Sequence, residues 1–108
     1  MVNKMNFNRK LAEGKPLSLV QFKAEWNGAS QIISMIYDDL ARSYEGMVDF
    51  HIIDFEEESD LSKAFGVTEV PTILFFKSGQ IIDHAVGLIP KNVLIAKIEM
   101  ALNNTNGK

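Results

Sequence analysis

The chain has 108 residues, 46% of them apolar and 23% charged, with a net charge of −3 and a pI near 5.3. A chain of this length forms one domain whose core needs neither metal nor disulfide, and its acidic balance offers no electrostatic footprint for nucleic acid or for an anionic membrane surface. No apolar run approaches the roughly 18 residues that cross a bilayer, and Met1-Val2-Asn3-Lys4-Met5-Asn6 lacks the apolar stretch of a signal peptide. The expected compartment is the cytoplasm; the chain has no cysteine, so the usual redox clue to compartment is missing.

In chain order, residues 5–13 read as a short helix closed by Gly14, with Pro16 just beyond. Leu17 to Ala24 reads as a strand. Its near-continuous apolar character suits a strand covered on both faces. From Gly28 the period turns helical, with Ile32, Ile33, Ile36, Leu40 and Tyr44 at steps of three and four and Gly46 as the stop. Val48 to Phe55 is a second strand. Glu58 to Phe65 is a short helix with Ser59 as its expected N-cap and Gly66 at its end. Thr72–Phe76 and Ile81–Val86 flank Ser78-Gly79 as a hairpin. Pro90 suits the first position of a last helix, striped by Leu94, Ile95, Ile98, Ala101 and Leu102. The whole chain, 1–108, is read as one domain, with its core over about residues 7–102 and a polar tail over 103–108. There is no internal repeat, low-complexity tract or linker.

A strand–helix–strand crossover implies a parallel, right-handed pair, and the hairpin adds antiparallel pairing. The expected class is α/β, a three-layer sandwich with a mixed four- or five-stranded sheet and helices on both faces.

Several landmarks in that order carry a resemblance. Leu17 to Ser30 (LSLVQFKAEWNGAS), Phe65-Gly66-Val67, Val70-Pro71-Thr72, Phe76-Lys77-Ser78-Gly79-Gln80 and Gly87 together resemble the thioredoxin family in sequence, order and spacing over roughly residues 7–102. The resemblance implies a thioredoxin-like fold, with Pro71 following a cis peptide bond and facing the turn at 26–30. In the family that turn reads Trp-Cys-Gly-Pro-Cys. Here it reads Trp26-Asn27-Gly28-Ala29-Ser30.

The family's first cysteine works because a helix N-terminus favours its thiolate, through the dipole and unpaired N–H groups; such settings lower a thiol pKa from about 8.5 to roughly 3.5–7.5. Asn27 stands at that position and Ser30 at the second cysteine's. Gln21 replaces the family's buried Asp, Phe50 a Lys that tunes it, and Ala29 the turn proline. The catalytic positions are therefore read as degenerate, and dithiol–disulfide exchange is not expected. An engineered double cysteine knockout would explain Asn27 and Ser30 but not Gln21, Phe50 or Ala29.

Other chemistry finds little support in the residues. A serine nucleophile at Ser30 needs a base in reach, and the two histidines, His51 and His84, fall on other strands. Ser30 reads instead as a first-turn hydroxyl donating to a nearby carbonyl, and Asn27 as an N-cap. Glu56-Glu57-Glu58 with Asp60 reads as a solvated helix start favourable to the dipole. Carboxylates and histidines lack a metal-ligand spacing, and no cofactor is expected. Met35 and Met100 read as core filling, and Met35 stands where the family's helix carries a kinking proline.

Trp26, Asn27, Gly28, Val70, Pro71, Gly87 and Leu88 surround the turn on the fold that the resemblance implies. In that family the groove holds an extended peptide paired to backbone beside the cis-proline, a mode that uses no cysteine; tryptophan is a frequent interface anchor. Three functions remain open at this stage. One is an interaction module for a protein or peptide, such as a holdase or assembly partner. A second is residual chemistry in a divergent oxidoreductase relative, such as glutathione recognition. The third is a structural homodimer.

Overall fold

The computed structural model describes residues 14–103; the helix expected over 5–13, and most of the 103–108 tail, lie outside them. The elements are β1 (Leu17–Lys23), α1 (Gly28–Ser43), β2 (Val48–Asp54), α2 (Ser59–Ala64), β3 (Thr72–Lys77), β4 (Gln80–Val86) and α3 (Lys91–Asn103). Among the described residues the sheet has four strands in the order β2-β1-β3-β4. β1 runs parallel to β2 and antiparallel to β3, and β3 pairs antiparallel with β4, with a bulge between Phe75 and Phe76.

The period-2 alternation of the two central strands sorts the core into two layers. Leu17, Leu19, Ile73 and Phe75 point to the face where Ile33, Tyr37 and Leu40 of α1 meet Leu94 and Ile98 of α3. Val20, Phe22, Leu74 and Phe76 point to the opposite face, against Leu61 of α2 and Val67. Helices thus cover both faces of a mixed sheet, as the element order requires.

Tyr37 anchors the first layer. It is 1% exposed, and its hydroxyl proton is shared between the carbonyls of Leu19 at 2.9 Å and His51 at 2.7 Å, while its oxygen accepts the His51 N–H at 3.1 Å. One side chain on α1 therefore holds the parallel pair β1–β2 from above. Burial pushes its phenol pKa well above the ordinary value.

Several local expectations are corrected. The buried stripe of α1 is Ile33, Tyr37 and Leu40, with Ile36 and Tyr44 packed beside it. Ile32 lies about 100° round the helix from Ile33 and is 48% exposed. Met35 and Met100 do not fill the core; both sit on outward helix positions and are more than 70% exposed (72% and 73%). The N-cap of α2 is Glu58, without a side-chain cap bond, and Ser59 is already helical. Pro90 precedes the first helical residue of α3, its carbonyl accepting the N–H groups of Val93 and Leu94. The stop at Gly66 does hold: its φ of +71° lets Gly66 N–H reach Lys63 O and Val67 N–H reach Ser62 O, closing α2.

Candidate functional site

The strand registers bring four chain segments to one end of the sheet. Lys23 and Asp54 are partners at the ends of parallel β1 and β2, and Phe55 N–H donates to Lys23 O just past them. Thr72 opens β3 opposite Phe22 of β1 and Val86 of β4. Residues 24–30, 55–58, 69–71 and 87–90 therefore share that end.

Between β1 and α1 the turn is tightly specified. Asn27 N–H donates to Ala24 O at 3.1 Å, closing a reverse turn. Asn27 has extended backbone (φ −99°, ψ 119°), and its Oδ1 accepts Ser30 N–H at 2.8 Å. It is the N-cap of α1, satisfying one of the helix's orphan donors. Ser30 is buried and its Oγ accepts Ala24 N–H at 3.3 Å, so its oxygen is an acceptor here, where donation to a carbonyl was expected. Gln31 Nε2 donates to Glu25 O at 2.9 Å and clamps the turn from outside. Sequence reading missed that clamp, because a glutamine four residues past an N-cap looks like ordinary helix surface.

Beneath the turn, Gln21 is fully buried and its Nε2 donates to Ser34 Oγ at 3.1 Å, one helical turn past Ser30. Its Oε1 has no hydrogen-bond partner among the described residues. Phe50 does not reach toward Gln21 with a charge; it stacks edge-on against Tyr37, centroids 5.1 Å apart. An open cleft of about 380 Å³ runs past Lys23, Glu25, Ser30, Gln31 and Ser34. His51 sits opposite Val20 on β2 and His84 opposite Leu74 on β4, each in mid-strand and neither in the segments that form this end.

At the same end of the sheet as the turn, the Val70–Pro71 peptide bond is cis. Pro71 is buried, Val70 half-buried. Gly87 N–H donates to Pro71 O at 2.8 Å, and its φ of +84° is a conformation open to glycine with little strain, so this link between two loops depends on that residue. Thr72 Oγ1 donates to Glu69 O at 2.7 Å and closes the other side of the loop. No backbone hydrogen bond among the described residues engages Val70. Trp26 is 66% exposed, Leu88 54% and Gly28 open to solvent. The six residues expected to border a groove (Trp26, Asn27, Gly28, Val70, Pro71 and Gly87), with Leu88, are therefore on the segments that share this end.

The acidic run is organised before α2 begins. Asp54 Oδ1 accepts the N–H groups of Glu56 at 3.0 Å and Glu57 at 2.8 Å, turning the chain so that both glutamates are exposed. Among the described residues no three potential metal ligands come together, and no helix is long and apolar enough to cross a membrane.

Comparison with known proteins agrees with this geometry. The family model described as Thioredoxin matches residues 1–100. The chain is 33% identical over 101 residues to a thioredoxin of Staphylococcus aureus, covering 94% of this chain and 95% of that protein. It is 30% identical over 94 residues to a thioredoxin of Chlorobaculum thiosulfatiphilum, covering 87% of each. It is 31% identical over 99 residues to a chloroplastic M-type thioredoxin of Pisum sativum, covering 92% of this chain and 58% of that longer protein. The chain thus spans somewhat under three fifths of the pea relative and most of the two bacterial ones.

Proposed function

The chain belongs to the thioredoxin family, and on that premise we propose that it is a redox-inactive member that binds extended peptide segments of other proteins at the end of its sheet. The observation that carries this reading is the pairing of an unengaged Val70 backbone beside Pro71 with an exposed Trp26 on a turn held by three side-chain hydrogen bonds. A peptide laid along residues 70–71 gains main-chain hydrogen bonds as a short added strand, and Trp26 supplies apolar contact. Nothing in that mode calls for sulfur.

Chemistry at the turn has little to work with. Asn27 has no ionisable group, and its carbonyl oxygen is committed to the helix cap. Ser30 is buried, its oxygen already accepts Ala24 N–H, and no histidine lies in the segments around it. A dithiol exchange needs two thiols, and the sequence contains none.

Insulin reduction driven by dithiothreitol tests the first half of the reading: addition of the protein leaves the rate at the blank value, and clear turnover refutes redox inactivity. Pull-down with wild type and Trp26→Ala tests the second half. Partners recovered by wild type and lost from the variant support the groove; the same partners from both remove Trp26 from the site.

A further inference from the structure

The end of the sheet that carries Trp26 and Val70 holds an excess of negative charge. The four segments that meet there are Ala24–Ser30, Phe55–Glu58, Glu69–Pro71 and Gly87–Pro90, and they contain five glutamates, Glu25, Glu56, Glu57, Glu58 and Glu69; the cations that border them are Lys23 at the end of β1 and Lys91 at the start of α3, the latter paired with Asp39. Glu25, Glu56, Glu57 and Glu69 are exposed. The ion pairs that join Asp39 to Arg42 and Lys91, and Asp83 to Lys97, draw on none of these four. The placement follows from the registers: Glu25 leaves β1 and Glu56–Glu57 leave β2 from neighbouring parallel ends, while Glu69 stands one residue before Val70. An apolar anchor is thus rimmed by exposed carboxylates that outnumber the bordering lysines, two of them on the turn that Asp54 closes.

We propose that the occupant of this end is an extended segment of another protein carrying lysine or arginine, so that the site selects cationic peptides. The proposal rests on the peptide-binding reading above and adds the chemistry of the partner. Charge decides between occupants. A second copy of the chain docked about a two-fold axis on the same face would set these glutamates against their own images. An anionic bilayer or a nucleic acid would be repelled for the same reason. A peptide whose cations alternate with apolar residues places the apolar ones toward Trp26 and Val70 and the cations on the rim, since alternate side chains of an added strand face opposite ways.

Each screened, exposed ion pair contributes a factor of roughly two in affinity, so three or four of them give about tenfold at low salt. The experiment measures fluorescence anisotropy with three labelled nonapeptides: alternating Lys and Val, the Ser-for-Lys form and the Glu-for-Lys form. The expected result is binding of the Lys form about tenfold tighter than the Ser form at low salt, with most of that advantage lost at about 0.3 M salt. The triple change Glu56→Gln, Glu57→Gln, Glu69→Gln lies wholly on exposed side chains; it leaves the thermal melt in place, cuts the preference to about twofold, the share left to Glu25, and keeps the Ser-form affinity. Trp26→Ala weakens the Lys and Ser forms alike.

Equal affinity for the Lys and Ser forms overturns the charge selection and leaves the groove reading standing. No measurable binding of any of the three overturns both. A Lys preference that the triple change leaves undiminished, or Lys-form binding that ignores Trp26→Ala, places the cation elsewhere and overturns the proposal. A dimer in sedimentation that Trp26→Ala dissolves identifies a second copy as the occupant and overturns it as well.

Discussion

Replacing Asn27 by cysteine asks whether the turn still favours an anion where the family's sulfur sits. The helix that begins there runs 16 residues with no acid in its first turn, and Ser30 N–H already points at the side chain of residue 27 at 2.8 Å. A thiolate in that place accepts a charge-assisted hydrogen bond worth about 1.5–3 kcal/mol and a dipole contribution of about 0.3–1 kcal/mol. Together these correspond to a lowering of roughly 1.5–3 pKa units, at about 1.36 kcal/mol per unit. The exposed glutamates at the same end oppose it, each by a few tenths of a kcal/mol through solvent, on the order of one unit in all. Asn27→Cys therefore gives a thiol whose pKa falls from about 8.5 to near 7. The measurement is ultraviolet thiolate absorbance against pH, checked by the pH dependence of iodoacetamide alkylation. With no other cysteine in the chain, the signal belongs to one group. A midpoint at or above the free-thiol value would mean that the capped helix start does not act on residue 27, and the account of the turn given above would be wrong.

Asn27→Ala removes the cap and lowers unfolding stability by about 1 kcal/mol, while Asn27→Asp keeps the cap and loses nothing, both read by urea denaturation. Tyr37→Phe strips the hydroxyl that joins Leu19 and His51; leaving those groups buried costs about 2 kcal/mol, and an unchanged midpoint would show that the backbone groups find other partners. Tyr44 donates to Glu99 Oε2, and its phenol is pushed up to about 12, first by burial and then by that hydrogen bond. A raised folded-state pKa gives stability that is complete below 10.0 and drains away as pH climbs toward about 12, so wild type loses more stability across that window than Tyr44→Phe. Trp26→Ala, on an exposed side chain, leaves the denaturation midpoint within about 0.5 kcal/mol of wild type.

Much of the fold was legible because its signals are local. The switch from the apolar run at Leu17 to helical spacing after Gly28 marks β1 and α1 within a residue or two, and Gly66 closes α2 through two backbone bonds that glycine alone permits without strain. What misled was face assignment. Ile32 and Met35 are apolar, yet they lie outside the arc that Ile33, Tyr37 and Leu40 turn toward the sheet. Hydrophobicity made Ile32 look like core, and the expected stripe left Tyr37 out; three hydrogen bonds across two strands, invisible in periodicity, make Tyr37 the anchor. At the site, the identity of the cap was readable from Asn27, while the Gln31 clamp depends on the shape of the turn and the excess of negative charge around Trp26 on registers between distant segments.

Gln21 ties the core to the turn. In the family that this chain belongs to, a carboxylate is expected at that place, and burying one without a cation carries a desolvation cost of several kcal/mol that a protein retains only where the charge has work to do. Here the position is fully buried, Phe50 supplies no cation, and an amide donates to Ser34 instead. A neutral amide is the inexpensive occupant, and it gives the region beneath the turn no group that gains or loses a proton between mildly acidic and mildly alkaline pH. Gln21→Asp reverses that choice. Its folded-state pKa is raised above the unfolded value by burial, so the variant matches wild type most closely below about pH 4 and falls behind as pH rises through the folded pKa. Chemical denaturation of both proteins at acidic and neutral pH reads the difference. If the gap between them stays constant with pH, the site is solvated enough to carry a carboxylate freely, and the neutrality of Gln21 says nothing about the chemistry of the turn.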